Sequence, residues 1–250
     1  MNLLDLDKVC TYVNEHVADF HHRRIKSLEE LKLDKLLTKN PYLFKAKNVA
    51  TASELISNLL EAFLSSSEEK LFGDFLEGLA VYIAEMTCGG HKSTAPGVDL
   101  EFINNSVHYV ISVKSGTNWG NSSQQNKLEQ DLKNAVTRVK QSKRGMNVQP
   151  VLGICYGKTK TSYVRGYMKV VGQNFWYLVS GNQHLYTEII EPVGYMAQEH
   201  NAMFFIGKSN VTNRFTKEFI DRFCDENGAI DWIRLVEFNS NNFDLDKFLP

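Results

Sequence analysis

Pro96-Gly97-Val98-Asp99-Leu100-Glu101-Phe102, then Asn104-Asn105-Ser106, then Tyr109-Val110-Ile111-Ser112-Val113-Lys114-Ser115-Gly116 is the stretch on which the reading of this chain turns. Two runs that alternate apolar and polar side chains flank a short Asn/Ser turn, the pattern of a β-hairpin. Alternate side chains of a strand share a face. Asp99 and Glu101 are therefore expected on one side of the first strand, with Val98, Leu100 and Phe102 turned to a core. On the second strand Ser112 and Lys114 fall together, opposite Tyr109, Ile111 and Val113. With the polar faces in register, Asp99 and Lys114 share one small space. Any half-buried hairpin shows such alternation, and its acids and lysine are then simply solvated, so the flanking segments have to decide.

Upstream, Thr51 to Met86 has helical spacing, with Leu55, Leu59, Leu60 and Phe63 in its first half and Phe72, Phe75, Leu76, Leu79 and Ile83 in its second. A break is expected at Ser65-Ser66-Ser67. Val81 and Tyr82 make the far side of the second half apolar too, so burial on most of its circumference is expected. A carboxylate on such a helix needs a partner or a task, which singles out Glu77. Gly89 to Ser93 reads as a flexible polar loop into the hairpin. Downstream, Gly116 to Asn121 is loop, followed by a helix capped by Ser122 or Ser123 and running to about Gln141. Its stripe of Leu128, Leu132, Ala135, Val136 and Val139 packs back on the sheet. Gln125 lies near the middle of that stripe and Glu129 at its edge.

Further out, Leu4 to Phe20 and Ser27 to Leu37 read as amphipathic helices, the second with a Ser27/Glu30 capping box and a stop at Asn40-Pro41. Val148 to Tyr156 suits a central strand and Tyr163 to Val171 the next, joined by a turn containing Lys158 and Lys160. Asn174 to Val179 is aromatic and β-like, and Tyr186 to Ala197 is helical in pattern. Thr212 to Cys224 reads as a helix capped by Thr212 or Asn213, and Ile233 to Phe238 as a last short strand or helix. No repeat and no linker of domain-separating length interrupts the chain. The expectation is one α/β domain over 1–250, with a helical part at 1–50, a core at 51–157 and a sheet and helix part at 158–250.

Composition narrows the function classes. A chain of 250 residues, 43% hydrophobic, can bury a core without staples. Cys10, Cys88, Cys155 and Cys224 are widely spaced, with no CxxC pair and no secretory signal, so thiols in a reducing compartment are expected, with a cytoplasmic location as the default. No run approaches the roughly 18 apolar residues of a membrane span, so no membrane is expected among the partners. A net charge of −1 argues against an indiscriminate nucleic-acid coat. It leaves room for an enzyme that gathers its lysines into one groove around central acids. Cys88 and His91 have CxxH spacing without a second ligand pair. Gly116 to Gly120 lacks the Gly-Lys-Ser/Thr ending of a nucleotide phosphate loop.

Phe72-Gly73-Asp74-Phe75-Leu76-Glu77, the hairpin, and Lys114-Ser115-Gly116-Thr117-Asn118-Trp119-Gly120-Asn121-Ser122-Ser123-Gln124 together resemble the PD-(D/E)xK nuclease superfamily. Within it the chain looks like the type II restriction endonucleases, and in particular their PmeII-like group. The likeness runs from about Glu69 to Gly157. It implies a restriction-endonuclease-like core, a central mixed β-sheet flanked by α-helices, behind an N-terminal helical region. It also implies Mg2+-dependent hydrolysis of double-stranded DNA at a short specific sequence. By the resemblance Asp99 is the central Mg2+ ligand, the backbone carbonyl of Val113 a second, and Lys114 the group that orients the attacking water or stabilises the transition state. A homodimer is implied, because two cuts in a near-palindrome call for two sites related by a two-fold. A cognate DNA methyltransferase is implied as well. The alternatives are another nuclease of this fold, acting in repair or junction resolution, and a catalytically silent DNA-binding module.

Ser112 departs from the family pattern, which has Asp or Glu two positions before the lysine. In some restriction enzymes of the superfamily the second acid has moved to the following helix, which points to Glu129. Many members carry a metal-site glutamate on the preceding helix, which points to Glu77, the preferred of the two. Loss of catalysis is the third explanation, disfavoured by the presence of Asp99 and Lys114. DNA contacts are expected from Asn118, Trp119, Asn121, Ser122, Ser123 and Gln124, whose amides, hydroxyls and helix start suit a backbone phosphate. Lys158, Lys160 and Arg165, interleaved with Tyr163 and Tyr167, form a second expected DNA-contacting stretch.

Overall fold

Asn105 and Ser106 both adopt positive φ, 48° and 61°, and so close the hairpin with the two-residue turn whose twist suits paired strands. The computed structural model describes residues 1–247. Its elements run α1 (Leu6–Glu29), α2 (Leu33–Leu36), α3 (Pro41–Ala46), α4 (Ala52–Cys88), β1 (His91–Lys92), β2 (Leu100–Asn104), β3 (Val107–Lys114), α5 (Ser122–Ser142) and β4 (Asn147–Ile154). They continue with β5 (Ser162–Val164), β6 (Tyr167–Val171), α6 (Gln173–Ser180), α7 (Leu185–Glu188), α8 (Ile190–Val193), α9 (Ala197–Phe223) and α10 (Trp232–Ser240), then a 3-10 turn at Leu245–Lys247.

The strands form one open mixed sheet in the order β1-β2-β3-β4-β6-β5. The β1–β2, β2–β3 and β5–β6 pairs are antiparallel, while β3, β4 and β6 run parallel. The parallel step from β3 to β4 needs a crossover, which α5 supplies. Side chains alternate between two covered faces. Leu100, Phe102, Ile111, Val113, Val151 and Val170 pack with Val9 and Val13 of α1, Leu76, Leu79 and Ile83 of α4, and Phe175 and Trp176 of α6. On the other face Val110, Leu152, Ile154 and Val171 meet Leu128, Leu132, Ala135 and Val139 of α5. This is the α/β architecture of a central mixed sheet flanked by helices.

Two compact units are present, one formed by 1–20 and 71–197, the other by 21–70 and the chain from Gln198 onward. The first contains the whole sheet. The second is helical and has its own core, including Leu28, Leu36, Ile56, Leu60, Phe215 and Phe219. No linker announces them in the sequence, because each is assembled from two separate stretches. No helix among the described residues is long and apolar enough to cross a membrane.

Several local expectations change. Helix α4 passes through Ser65-Ser66-Ser67 unbroken, and Ser66 Oγ donates to Ala62 O at 3.2 Å, so the helix itself satisfies the hydroxyl. Ser27 lies inside α1 instead of capping a new helix. Asn40 caps α3, its Oδ1 accepting from the amides of Tyr42 and Leu43 at 3.0 and 3.3 Å, with Pro41 in the first turn. His91 and Lys92 pair with Glu101 and Leu100 as the edge strand β1, where a flexible loop was expected. Asn121, not Ser122 or Ser123, caps α5. Tyr163 to Val171 is two strands, turned at Arg165-Gly166 with φ of 48° and 83°. Asn174 to Val179 is helical, since Phe175, Trp176 and Val179 recur at helical spacing and are fully or almost fully buried. Their aromatic, β-favouring composition yields to that packing. Thr212 lies within α9, and Ile233 to Phe238 falls in α10.

Candidate active site

Asp99 stands one residue before β2. Its amide donates to Ile111 O at 2.8 Å, which extends the pairing of Leu100 with Ile111 and sets Asp99 opposite Ser112. Asp99 Oδ2 accepts from the Val113 amide at 2.6 Å and from Ser112 Oγ at 3.3 Å. The Lys114 ammonium lies 3.8 Å from the same oxygen and donates to Val113 O at 2.8 Å. Ser112 is 1% exposed, and at the position where the family pattern has an acid it supplies a hydroxyl that donates to Asp99. Val98 parts company with Leu100 and Phe102 and joins the core under α5. The cause is a turn, with the Val98 amide on Ala95 O, that ends just before the strand begins.

Glu77, on α4, stands within electrostatic reach of Asp99 and Lys114. Burial pushes its carboxyl above the ordinary value, and the charge of Asp99 pushes it the same way, while Lys92 and Lys114 pull it down. Lys92 Nζ donates to Glu77 Oε1 at 3.3 Å. The partners of Glu129 are different. Lys133 donates to it at 2.6 Å and Arg165 stands 4.0 Å away, and the Lys133 contact leads in holding its carboxyl below the ordinary value. Glu129 also lines a cavity of about 480 Å³ with Lys140, Arg165 and Tyr167. It is Glu77, not Glu129, that shares the electrostatic company of Asp99 and Lys114.

The oxygens that could hold a metal here are those of the Asp99 and Glu77 carboxylates and the Val113 carbonyl. Val113 O and Asp99 Oδ2 already converge on one cationic nitrogen, Lys114 Nζ, and repulsion between Asp99 and Glu77 is of the kind a divalent cation relieves. An all-oxygen set with two carboxylates suits Mg2+, which keeps several waters and resists dedicated protein cages. No group of three or more His, Cys, Asp or Glu side chains with metal-binding geometry occurs among the described residues.

The loop after Lys114 is organised by its own side chains. Asn121 Oδ1 accepts from the Gln124 amide at 3.1 Å and Gln124 Oε1 accepts from the Asn121 amide at 2.9 Å, a reciprocal capping box. Gln125 Nε2 donates to Gly120 O at 3.2 Å and so closes the loop. The Trp119 ring centroid lies 5.9 Å from Lys114 Nζ, within cation–π range. Asn118 and Ser122 are exposed. The amides of Cys155 and Tyr156 donate to Lys114 O and Ser115 O at 2.9 and 3.0 Å and tie the next connection to this one. Lys158 and Lys160 follow on it, exposed, and β3 and β4 are parallel, so both lysines leave the sheet at the end that carries Lys114. Arg165 sits in the β5–β6 turn, toward the other end of β6, and donates to Asn126 Oδ1 at 2.8 Å.

Strand alternation gave Asp99 and Glu101 one face without telling them apart, and the structure does. Glu101 is 5% exposed and is bound by Ser93, His108 and Arg138. His108 is the diagonal neighbour of Glu101 across the hairpin, a relation readable once the turn at Asn105-Ser106 is fixed. The turn before Asp99 is equally tight. Gly97 has φ +70°, and a Cβ there would run into the Asp131 carboxylate of α5. Gly97→Ala is therefore expected to cost about 1–3 kcal/mol of stability, from overpacking and backbone strain together. An unchanged urea midpoint would show that α5 does not approach this turn so closely.

A family model described as "Type II restriction endonuclease EcoO109I" matches residues 7–201, most of the chain. No curated protein matches it.

Proposed function

Because the chain belongs to the type II restriction endonuclease EcoO109I family, we propose that it cuts double-stranded DNA at a short specific sequence with Mg2+ at Asp99, Glu77 and the Val113 carbonyl. The observation that carries this reading is the meeting of Asp99 and Lys114 on one oxygen, with Glu77 in the same field. When bound, Mg2+ neutralises charge developing on the phosphate and makes a nucleophilic water available at neutral pH. The Val113 amide and the Ser112 hydroxyl hold Asp99 in one orientation. Lys114 orients the attacking water and, from its position between Asp99 and Val113 O, meets the negative charge of the transition state. The face of Trp119 limits where its ammonium can go. Lys92 balances Glu77 from the edge strand.

Within this reading the 51–157 segment carries the chemistry and Lys158 and Lys160 extend the contact with the DNA backbone. Asn118, Trp119, Ser122 and the start of α5 receive a phosphate, while Asn121 and Gln124 act there by shaping the helix start. Arg165, tied to Asn126 and near Glu129, contributes at a second point along the duplex. A homodimer supplies the second cut, a cognate methyltransferase protects the host DNA, and the cytoplasm is the working compartment. The finer placement in the PmeII-like group rests on the residues from Phe72 to Glu77 and from Lys114 to Gln124.

The direct test is plasmid DNA incubated with the protein and Mg2+, with and without EDTA. Discrete, EDTA-sensitive fragments are expected. Nicking that follows DNA structure instead of sequence would mean a repair or junction enzyme, and retardation without cleavage a binding module. In a parallel titration, replacing Lys158 and Lys160 by Ala together is expected to weaken binding to all sequences and to lower the slope of log affinity on log salt by about 2. An unchanged slope would take both lysines off the phosphates.

A further inference from the structure

Glu101 is the sole carboxylate-bearing residue in the buried class among the described residues. An acid in that setting needs every oxygen engaged. Ser93 Oγ and Arg138 Nη2 both donate to Oε1 at 2.5 Å, and His108 Nε2 lies 2.9 Å from Oε2. Both carboxylate oxygens are engaged in this way, Oε1 by Ser93 and Arg138 and Oε2 by His108.

Ser93 makes this carboxylate more than a packing device. Its Oγ also accepts from the Ala95 amide at 3.0 Å, and its own amide donates to Asp99 O at 3.2 Å. The residue before it, Lys92, holds Glu77. One serine, fixed by one buried carboxylate, therefore stands between the backbone of Asp99 and the lysine that reaches Glu77. On the far side Arg138 anchors the same carboxylate to α5, the helix against which Gly97 packs.

We propose that Glu101 is a positioning residue of the nuclease centre, setting through Ser93 where Asp99 and the Lys92–Glu77 pair stand. The inference rests on the Mg2+ nuclease reading and adds to it a residue that touches neither metal nor DNA. Groups that orient metal ligands typically change metal affinity or activity by about 10–100-fold when removed.

Glu101→Gln keeps the shape and removes the charge, and Ser93→Ala cuts the link alone. Each is expected to raise the Mg2+ concentration for half-maximal single-turnover cleavage by about tenfold, with DNA affinity in EDTA within about twofold of wild type. The double variant should be no worse than Glu101→Gln, because the two act in one chain. Ser93→Thr, which keeps the hydroxyl, should restore the wild-type half-saturation. In metal-free protein, hydrogen exchange at the Ser93 and Asp99 amides should be faster in Glu101→Gln and in Ser93→Ala, with Leu79 and Ile83 unaffected. A Glu101→Gln protein that melts earlier yet keeps both the wild-type Mg2+ half-saturation and the exchange protection of Ser93 would overturn the proposal. If the wild-type chain does not cleave DNA in Mg2+, the nuclease reading fails by itself, and the exchange data alone decide whether Glu101 holds Ser93 and Asp99.

Discussion

Asp99→Ala and Lys114→Ala proteins are expected to lose Mg2+-dependent DNA cleavage by about three orders of magnitude or more while keeping the fold. Asp99 Oδ2 is the point on which the Val113 amide, the Ser112 hydroxyl and the Lys114 ammonium all bear. Removing it strands two partly buried donors, at about 1–3 kcal/mol, a loss that cores on both faces of the sheet can absorb. Lys114 is 32% exposed at its side chain, so its truncation costs little stability. Asp99→Asn is the informative companion, since it keeps an acceptor for the Val113 amide and removes only the charge. It should be as inactive as Asp99→Ala and more stable. Single-turnover cleavage beside thermal melting reads all three, and wild-type cleavage by Asp99→Ala or Lys114→Ala would end the assignment.

Glu77→Gln is expected to reduce cleavage at least about a hundredfold, and Glu129→Gln to stay within about threefold of wild type. The two acids divide because of what surrounds them. Asp99 and Lys114 act on the charge of Glu77, whereas Glu129 is neutralised by Lys133 and Arg165 on the flank of α5. A cleavage defect in Glu129→Gln alongside an active Glu77→Gln would reverse the ligand assignment and return the second acid to the following helix.

Much of this centre could be read from the chain because it is local. A two-residue turn fixes the hairpin register, and that register puts Asp99 opposite Ser112 and two residues from Lys114's place on the ladder. The stripe on α5 and the all-round apolar second half of α4 obey one period each, and they expose Glu77 as an acid that needs a task. What stayed hidden depends on distant partners. Glu101 is bound by residues 8, 7 and 37 positions away, and only the first two belong to the hairpin and its approach. The two compact units interleave along the chain, so no composition change marks a boundary. Helix α6 hides for another reason, since Phe175-Trp176-Tyr177 favours a strand locally and becomes helical by burying Phe175 and Trp176 under the sheet.

Ser112 has a consequence for the order of assembly. In the nuclease reading, a hydroxyl where the pattern has a carboxylate leaves the second acid to Glu77 on α4, and the hydrogen bond from that hydroxyl holds Asp99 in place. Affinity of such oxygen sites for divalent cations follows the count of charged ligands. In that reading two carboxylates would hold Mg2+ weakly until a substrate phosphate adds its own charge. The free protein would then carry little metal, and cleavage would wait for a phosphate delivered to the hairpin.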